Sequence, residues 1–257
     1  MDKLIVFVRT TLTLSLYLMV TSTYAAGGAD IPMDHAEIEP GNISSLQRGA
    51  RNFMNYCSGC HGARYVRYNT IGADLELSEA QLVENLMFNA EKTFDTIRSS
   101  MSSEDARRWY GVSPPDLSLI ARSKGADYVY NFLKGFYIEA DSPTGVNNLV
   151  LAGTSMPHVL WELQGYQRAV FSEHTETAGD GTSVTTRHFE GYEQATPGSM
   201  DAEDYDEFVR DTVNFLAYIA EPIRSERRKL GTWVIIYLLV FLIIARMLKK
   251  QIWKDVS

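Results

Sequence analysis

A mainly α-helical domain, broken by loop and β-hairpin insertions and tethered by one C-terminal transmembrane helix, is what this chain's residue pattern predicts. Apolar residues recur at helical spacing in several separate stretches, as at Leu46, Ala50, Phe53 and Cys57. Residues 168–192 instead alternate Thr, Val, His and Phe with polar residues around Asp180-Gly181, a hairpin signal. Leu230 to Leu248 is apolar except for Thr232, Arg246 and the interfacial-type aromatics Trp233 and Tyr237.

Taken in order, residues 1–25 read as a signal peptide. Lys3 and Arg9 make a basic start, Thr10 to Val20 is a short and mainly apolar run, and Thr23 and Ala25 are small residues where a signal peptidase cuts, so cleavage is placed after Ala25. A retained anchor is the alternative, although the run is short for a span of about 20 residues. Residues 26–43 hold Gly27, Gly28, Pro32, Pro40 and Gly41 and form an extended lead-in; His35 lies here and reads as an exposed loop histidine rather than an iron ligand.

Ser44-x-x-Gln47 is a capping box, and the helix it opens runs into Cys57-Ser58-Gly59-Cys60-His61. C-x-x-C-H is a haem-attachment pattern. Two thiols three positions apart reach the two vinyl groups on one side of a porphyrin, and the histidine that follows lies under the iron. Zinc would need more ligands, and Cys57 and Cys60 are the only cysteines in the chain. A C-x-x-C redox pair would need a βαβ setting that the flanking sequence lacks. Export fits, because in bacteria such attachment happens outside the cytoplasm.

Gly62 lets the chain turn away from the motif. Arg64, Tyr65, Arg67 and Tyr68 are either a solvated loop or a polar wall for the haem propionates. Ser78-x-x-Gln81 caps a second helix carrying Leu82, Leu86 and Met87, and Ser103 to Tyr110 makes a third. Pro114-Pro115-Asp116-Leu117-Ser118 is extended, with Asp116 or Ser118 able to cap the next turn. Asp127 caps a helix whose Tyr128, Phe132, Leu133 and Phe136 form a core face that can line a haem edge. Residues 139–155 are loop-like and lead to Met156-Pro157-His158. Of the nine methionines, Met156 is the one best placed to be a sixth iron ligand, stiffened by Pro157; His158 is the rival. The 168–192 hairpin reads as a surface insertion, residues 200–211 as an exposed acidic loop, and Asp211 to Ile219 as a resumed helix.

Charge is uneven. Residues 224–257 carry eight Lys/Arg against Glu226 and Asp255, and residues 1–25 are +1, so the net charge of −8 leaves −15 on the stretch between. Such a domain repels nucleic acid and suits a basic protein partner. Four basic residues precede the apolar run (Arg224, Arg227, Arg228 and Lys229) and four lie at or beyond its far end (Arg246, Lys249, Lys250 and Lys254), so the positive-inside rule does not orient it. The signal peptide does. It yields a haem domain over residues 26–223 in the periplasm, a basic juxtamembrane segment 224–229, a transmembrane helix 230–248 and a cytoplasmic tail 249–257 of a bacterial inner-membrane protein.

The order of motifs resembles the cytochrome c1 family, the haem subunits of the ubiquinol–cytochrome c reductase (cytochrome bc1 complex). The resemblance is carried by Cys57 to Tyr68 (CSGCHGARYVRY), Pro114 to Ser118 with Arg122, Asp127 to Tyr137 (DYVYNFLKGFY) and Asn214 to Gly231 (NFLAYIAEPIRSERRKLG). Relatives often show Met followed by Ala-Pro-Pro where this chain has Met156-Pro157-His158-Val159. The resemblance implies a c-type cytochrome helical core holding one covalent haem c through Cys57 and Cys60, with His61 and Met156 on the iron and Pro115, Arg122 and Tyr128 against the cofactor. It also implies an electron relay from a Rieske iron–sulfur protein to a soluble or tethered cytochrome c, beside cytochrome b, with no acid–base or nucleophilic chemistry of its own. A free-standing membrane-anchored cytochrome c is the alternative, and a haem-based sensor a more distant one.

Overall fold

The computed structural model describes residues 33–177 and 183–254; the signal-peptide expectation for residues 1–25 and the hairpin apex at Asp180-Gly181 lie outside them. The domain is built on one crossing. Helix α1 (Ile43–Tyr56) packs along α8 (Ala202–Ala220), the long helix whose residues 211–220 are buried throughout. At the crossing, a Cβ on Gly49 would fall 2.1 Å from the Asp211 carbonyl oxygen, so only glycine allows the two backbones to meet. Ser45 Oγ donates to Asp211 at 2.6 Å, Arg48 Nη2 reaches the same carboxylate at 2.9 Å, and Asn52 Nδ2 donates to the Phe208 carbonyl at 3.2 Å. Leu46, Ala50 and Phe53 fill the seam, with the Phe53 and Phe215 rings 5.8 Å apart.

Two sequence expectations change here. The cap of α1 is Asn42, whose side chain accepts from the Ser45 amide at 3.2 Å; Ser44 lies inside the helix, and Gln47 donates to the Leu75 carbonyl instead. The acidic run is the first half of α8 rather than a loop. Asp201 caps it by accepting from the amides of Glu203 and Asp204, Glu203 and Glu207 face solvent, and Tyr205, Phe208 and Asp211 face the core. Acidic side chains in a first turn complement the helix dipole, so a charge-rich stretch is compatible with a helix start.

Strand β1 (Ala63–Arg67) pairs antiparallel with β2 (Thr96–Ile97) and encloses α2 (Tyr68–Asp74) and α3 (Glu79–Asn85). The α3 capping box forms between Ser78 and Gln81, as its sequence predicts. Ser102 caps α4 (Ser103–Tyr110), and Gly111 ends it at φ +77°, the left-handed conformation that glycine adopts without strain. An extended Pro114–Ser118 segment leads to the single turn α5 (Ile120–Ser123) and then to α6 (Ala126–Lys134). Asp127 does not cap α6. Its carboxylate accepts from the Ala36 amide at 2.9 Å and meets His35 at 2.8 Å, fastening the lead-in segment; His35 itself is exposed.

Strands β3 (Phe136–Ile138) and β4 (Val146–Asn148) form a small hairpin; β3 takes up Phe136, which the sequence pattern puts on the preceding helix, and β4 lies inside the stretch read as loop. After the turn α7 (Trp161–Gln164) comes the long hairpin of β5 (Gly165–Thr177) and β6 (Ser183–Pro197). Its root is fixed to the body: Gln167 Nε2 donates to the carbonyls of Lys134 (2.9 Å) and Phe136 (2.8 Å). Helix α9 (Arg224–Ile252) contributes none of its described residues to the hydrophobic core; residues 226–252 are long and apolar enough to cross a membrane, with a mean hydropathy of 2.2 over an 18-residue window. At 1.5 Å per residue it is roughly 40 Å long, against an apolar bilayer thickness of about 30 Å.

Candidate haem centre

The motif closes α1 in a tight turn. The amides of Cys57 and Ser58 both reach the Phe53 carbonyl, and those of Cys60 and His61 return to the Cys57 carbonyl at 3.0 and 2.8 Å. This places Cys57, Cys60 and His61 on the wall of one cavity of about 560 Å³. Burial pushes the Cys57 thiol up to about 12, with Cys60 beside it adding to the shift, and burial raises Cys60 as well. Both are therefore protonated thiols, unlike the low-pKa thiolate of a redox pair or a zinc ligand.

His61 is held by one bond. Its Nδ1 lies 2.7 Å from the Pro115 carbonyl oxygen, which can only accept, so Nδ1 carries the proton and Nε2 keeps its lone pair. Burial lowers the His61 pKa, so the ring is neutral, as a metal ligand must be. The carbonyl is fixed in turn by Asp116, which accepts from the Arg64 amide (2.9 Å), the Ser118 amide (3.0 Å) and Ser118 Oγ (2.5 Å). Burial opposes ionisation of Asp116, but these hydrogen bonds and the Arg64 guanidinium outweigh it and hold the carboxyl below its usual range. Gly62 does not adopt a left-handed turn; a Cβ there would crowd the Asp116 carboxylate at 3.2 Å and the Ile97 carbonyl at 3.3 Å.

Another wall is the loop over residues 149–159, which brings Met156, Pro157 and Leu151 to the same cavity. Two adjacent asparagines organise it. Asn147 Oδ1 accepts from the amides of Asn148 and Gly153 at 2.8 Å each, while Asn148 Oδ1 accepts from Val150 at 2.9 Å and Asn148 Nδ2 donates to the Phe132 carbonyl at 2.8 Å. Both are buried. Met101 also lines the cavity, but its amide bonds to the Gly59 carbonyl at 3.0 Å, inside the motif turn itself. His158 does not line it.

The remaining walls come from α6 and α8. Tyr128 and Phe132 stack at 6.4 Å with 10° between their planes, and Leu133, Thr212 and Leu216 complete the surface. Pro115 and Tyr128 both line the cavity. Arg122 does not: it is exposed, and Lys124 lines the cavity instead, its ammonium 5.5 Å from the centre of the Tyr128 ring. The reason is helical spacing. Ile120 and Lys124, four residues apart, share the cavity side of this short turn, and Arg122 projects elsewhere. Arg64, Tyr65, Arg67 and Tyr68 also lie outside the lining. Tyr68 is fully buried in the core, Arg64 pairs with Asp116, and Tyr65 is exposed.

The residues present fit a haem c. Two protonated thiols and a neutral imidazole with a free Nε2 share a predominantly apolar cavity with a soft thioether, and the cavity volume lies within the roughly 300–1,000 Å³ of cofactor pockets. Lys124, Asn147 and Asn148 are the participants that the sequence reading missed. A cation four residues after Ile120, and paired asparagines in a loop that must turn twice, are the signals that could have found them.

Fold and cavity together define a c-type cytochrome domain carried on a C-terminal membrane anchor. The chain belongs to the cytochrome c1 family, which it matches over residues 38–256. It is 42% identical over 241 residues to the cytochrome c1 of Allochromatium vinosum, covering 94% of this chain and 96% of that one. It is also 38% identical to the ammonia monooxygenase gamma subunit of Nitrosomonas europaea, over 90% of this chain and 92% of that one. Against the cytochrome c1 of Rhodospirillum rubrum the identity is 28%, over 82% of each chain.

Proposed function

We propose that this chain relays single electrons from a Rieske iron–sulfur protein to a cytochrome c, as the haem subunit of a bc1 complex in which cytochrome b holds the quinol sites. The observation that carries the reading is the convergence of Cys57, Cys60, His61 and Met156 on one buried, largely apolar cavity. Haem c, when bound, supplies a one-electron iron centre. Cys57 and Cys60 tether it, His61 Nε2 and the Met156 sulfur ligate the iron, and the Pro115 carbonyl fixes the imidazole tautomer. Tyr128 lies against the cofactor, and Lys124 is the cation on the cavity wall available to its carboxylates. The thioether favours ferrous iron and so keeps the potential high enough to accept from an iron–sulfur donor.

The domain sits on the periplasmic side of a bacterial inner membrane, anchored by residues 230–248. Its charge of −15 over residues 26–223 steers a basic acceptor. The test is purification of the full chain in mild detergent with identification of its companions. Cytochrome b and an iron–sulfur protein are expected to co-purify, and the preparation is expected to be reduced by quinol. Recovery of the haem-loaded chain alone would overturn the complex and leave a free-standing carrier.

A further inference from the structure

Met156 and His158 flank Pro157 but have different surroundings. Met156 and Pro157 line the cavity, whereas the His158 ring is only 5% exposed and lies within an aromatic pile behind it. Its ring is flat against Phe136, with centroids 5.1 Å apart and 9° between planes, and edge-on to Tyr166 at 6.0 Å and 80°. Tyr166 stacks in turn on Trp161 at 5.7 Å and 16°. Phe136 begins β3 and Tyr166 is the second residue of β5, so the imidazole is clasped between the short hairpin and the root of the long one.

Neither ring nitrogen of His158 makes a hydrogen bond. Buried polar groups are normally hydrogen-bonded. Here the ring is used as a flat aromatic plate. Pro157 has a fixed φ, so an anchor at His158 restrains the backbone at Met156. A neutral thioether depends on such restraint, because a ligand that is present but loosely supported loses its geometry.

We propose that His158 is a positioning residue: its stacked ring ties the Met156 loop to the root of the β5–β6 hairpin, and through this tie the hairpin sets how firmly the methionine sulfur is held at the iron. The hairpin is then a supporting strut for the iron site rather than a surface ornament. The inference rests on Met156 being the ligand.

The test compares four variants of the full chain, each assayed for covalent haem, for the sulfur-to-iron charge-transfer band of the oxidised form, and for midpoint potential. Met156→Leu should abolish the band. His158→Ala and Tyr166→Ala should keep covalent haem but lose at least half of the band, and their potentials should fall by the 59 mV that a tenfold loss in electron-accepting equilibrium represents. His158→Phe, which preserves the flat ring, should restore both. If His158→Ala yields no haem-loaded protein, Tyr166→Ala carries the comparison. An unchanged band and potential in His158→Ala and Tyr166→Ala, with the band lost in Met156→Leu, would overturn the strut and leave the ligand standing. A band that survives Met156→Leu would overturn the ligand and the strut together. A His158→Phe protein as impaired as His158→Ala would also overturn the strut, since stacking would then not be what matters.

Discussion

The imidazole of His61 and the carbonyl of Pro115 are joined by a 2.7 Å hydrogen bond that spans 54 residues of sequence. Everything around that bond serves to keep the carbonyl still. The Leu117 amide donates to the Gly62 carbonyl at 2.8 Å, and Asp116 gathers the Arg64 amide and both polar groups of Ser118. The Pro-Pro-Asp-Leu-Ser segment thus holds the His61 imidazole in place, through backbone fixed by two prolines and one carboxylate.

Asp116 therefore links stability to pH. Its folded pKa is depressed, so its contribution is present above the ordinary carboxylate value near 4 and is lost as pH falls through the lower folded value. Asp116→Asn places an NH2 group or a weaker acceptor against donors that now meet a charge. The expected cost is about 1–3 kcal/mol at neutral pH. Denaturant midpoints across pH 3 to 7 check it: the gap between wild type and variant should close toward the acid end. A gap that persists there would show that Asp116 acts through shape alone.

Gly49→Ala tests the α1–α8 crossing. The new Cβ would sit 2.1 Å from the Asp211 carbonyl oxygen and 2.7 Å from Phe215 Cβ, and backbone cannot swing aside as a side-chain tip can. Overpacking of this kind costs about 1–3 kcal/mol or more. Thermal unfolding is the measurement, with a lowered midpoint expected and reduced haem loading alongside it, because α1 delivers the motif and α8 supplies part of the cavity wall.

Replacing Cys57 and Cys60 together by Ser should leave the fold and remove the covalent tether. Haem staining after denaturing electrophoresis, positive for wild type, should be negative for the double variant. Each single variant should retain staining through its remaining thioether, at reduced yield. A stained double variant would mean that the attachment lies elsewhere, although these are the chain's only thiols.

Local chemistry was legible wherever one residue decides it. The C-x-x-C-H spacing, the Ser78–Gln81 box and the helix over Ser103–Tyr110 all follow from near neighbours. What was hidden depended on partners far along the chain. Asn42 outcompetes Ser44 as the α1 cap, and Asp127 is drawn from its own helix to the Ala36 amide 91 residues away. The acidic stretch before Asp211 reads as loop because its buried face is only Tyr205, Phe208 and Val209. Arg122 and Lys124 are equally plausible cations in sequence, and only the phase of a four-residue turn separates them.

The anchor can be separated from the haem domain, and the core shows why. The last residue of the buried hydrophobic cluster is Ile219, at the end of α8, and the apolar residues of α9 are exposed along its length. The haem cavity likewise draws on nothing beyond Leu216. Truncation before Leu230 should therefore cost the domain none of its packing, while removing the only stretch among the described residues that can span a bilayer. The expected product is soluble, haem-loaded and unchanged in its visible spectrum, and it should appear in the supernatant after a carbonate wash of the membranes. Reduction by an iron–sulfur donor in solution should persist, but without the membrane's local concentration it should become second order in protein. If the truncated chain stays with the membrane pellet, residues 1–25 are a retained second anchor and cleavage after Ala25 does not occur.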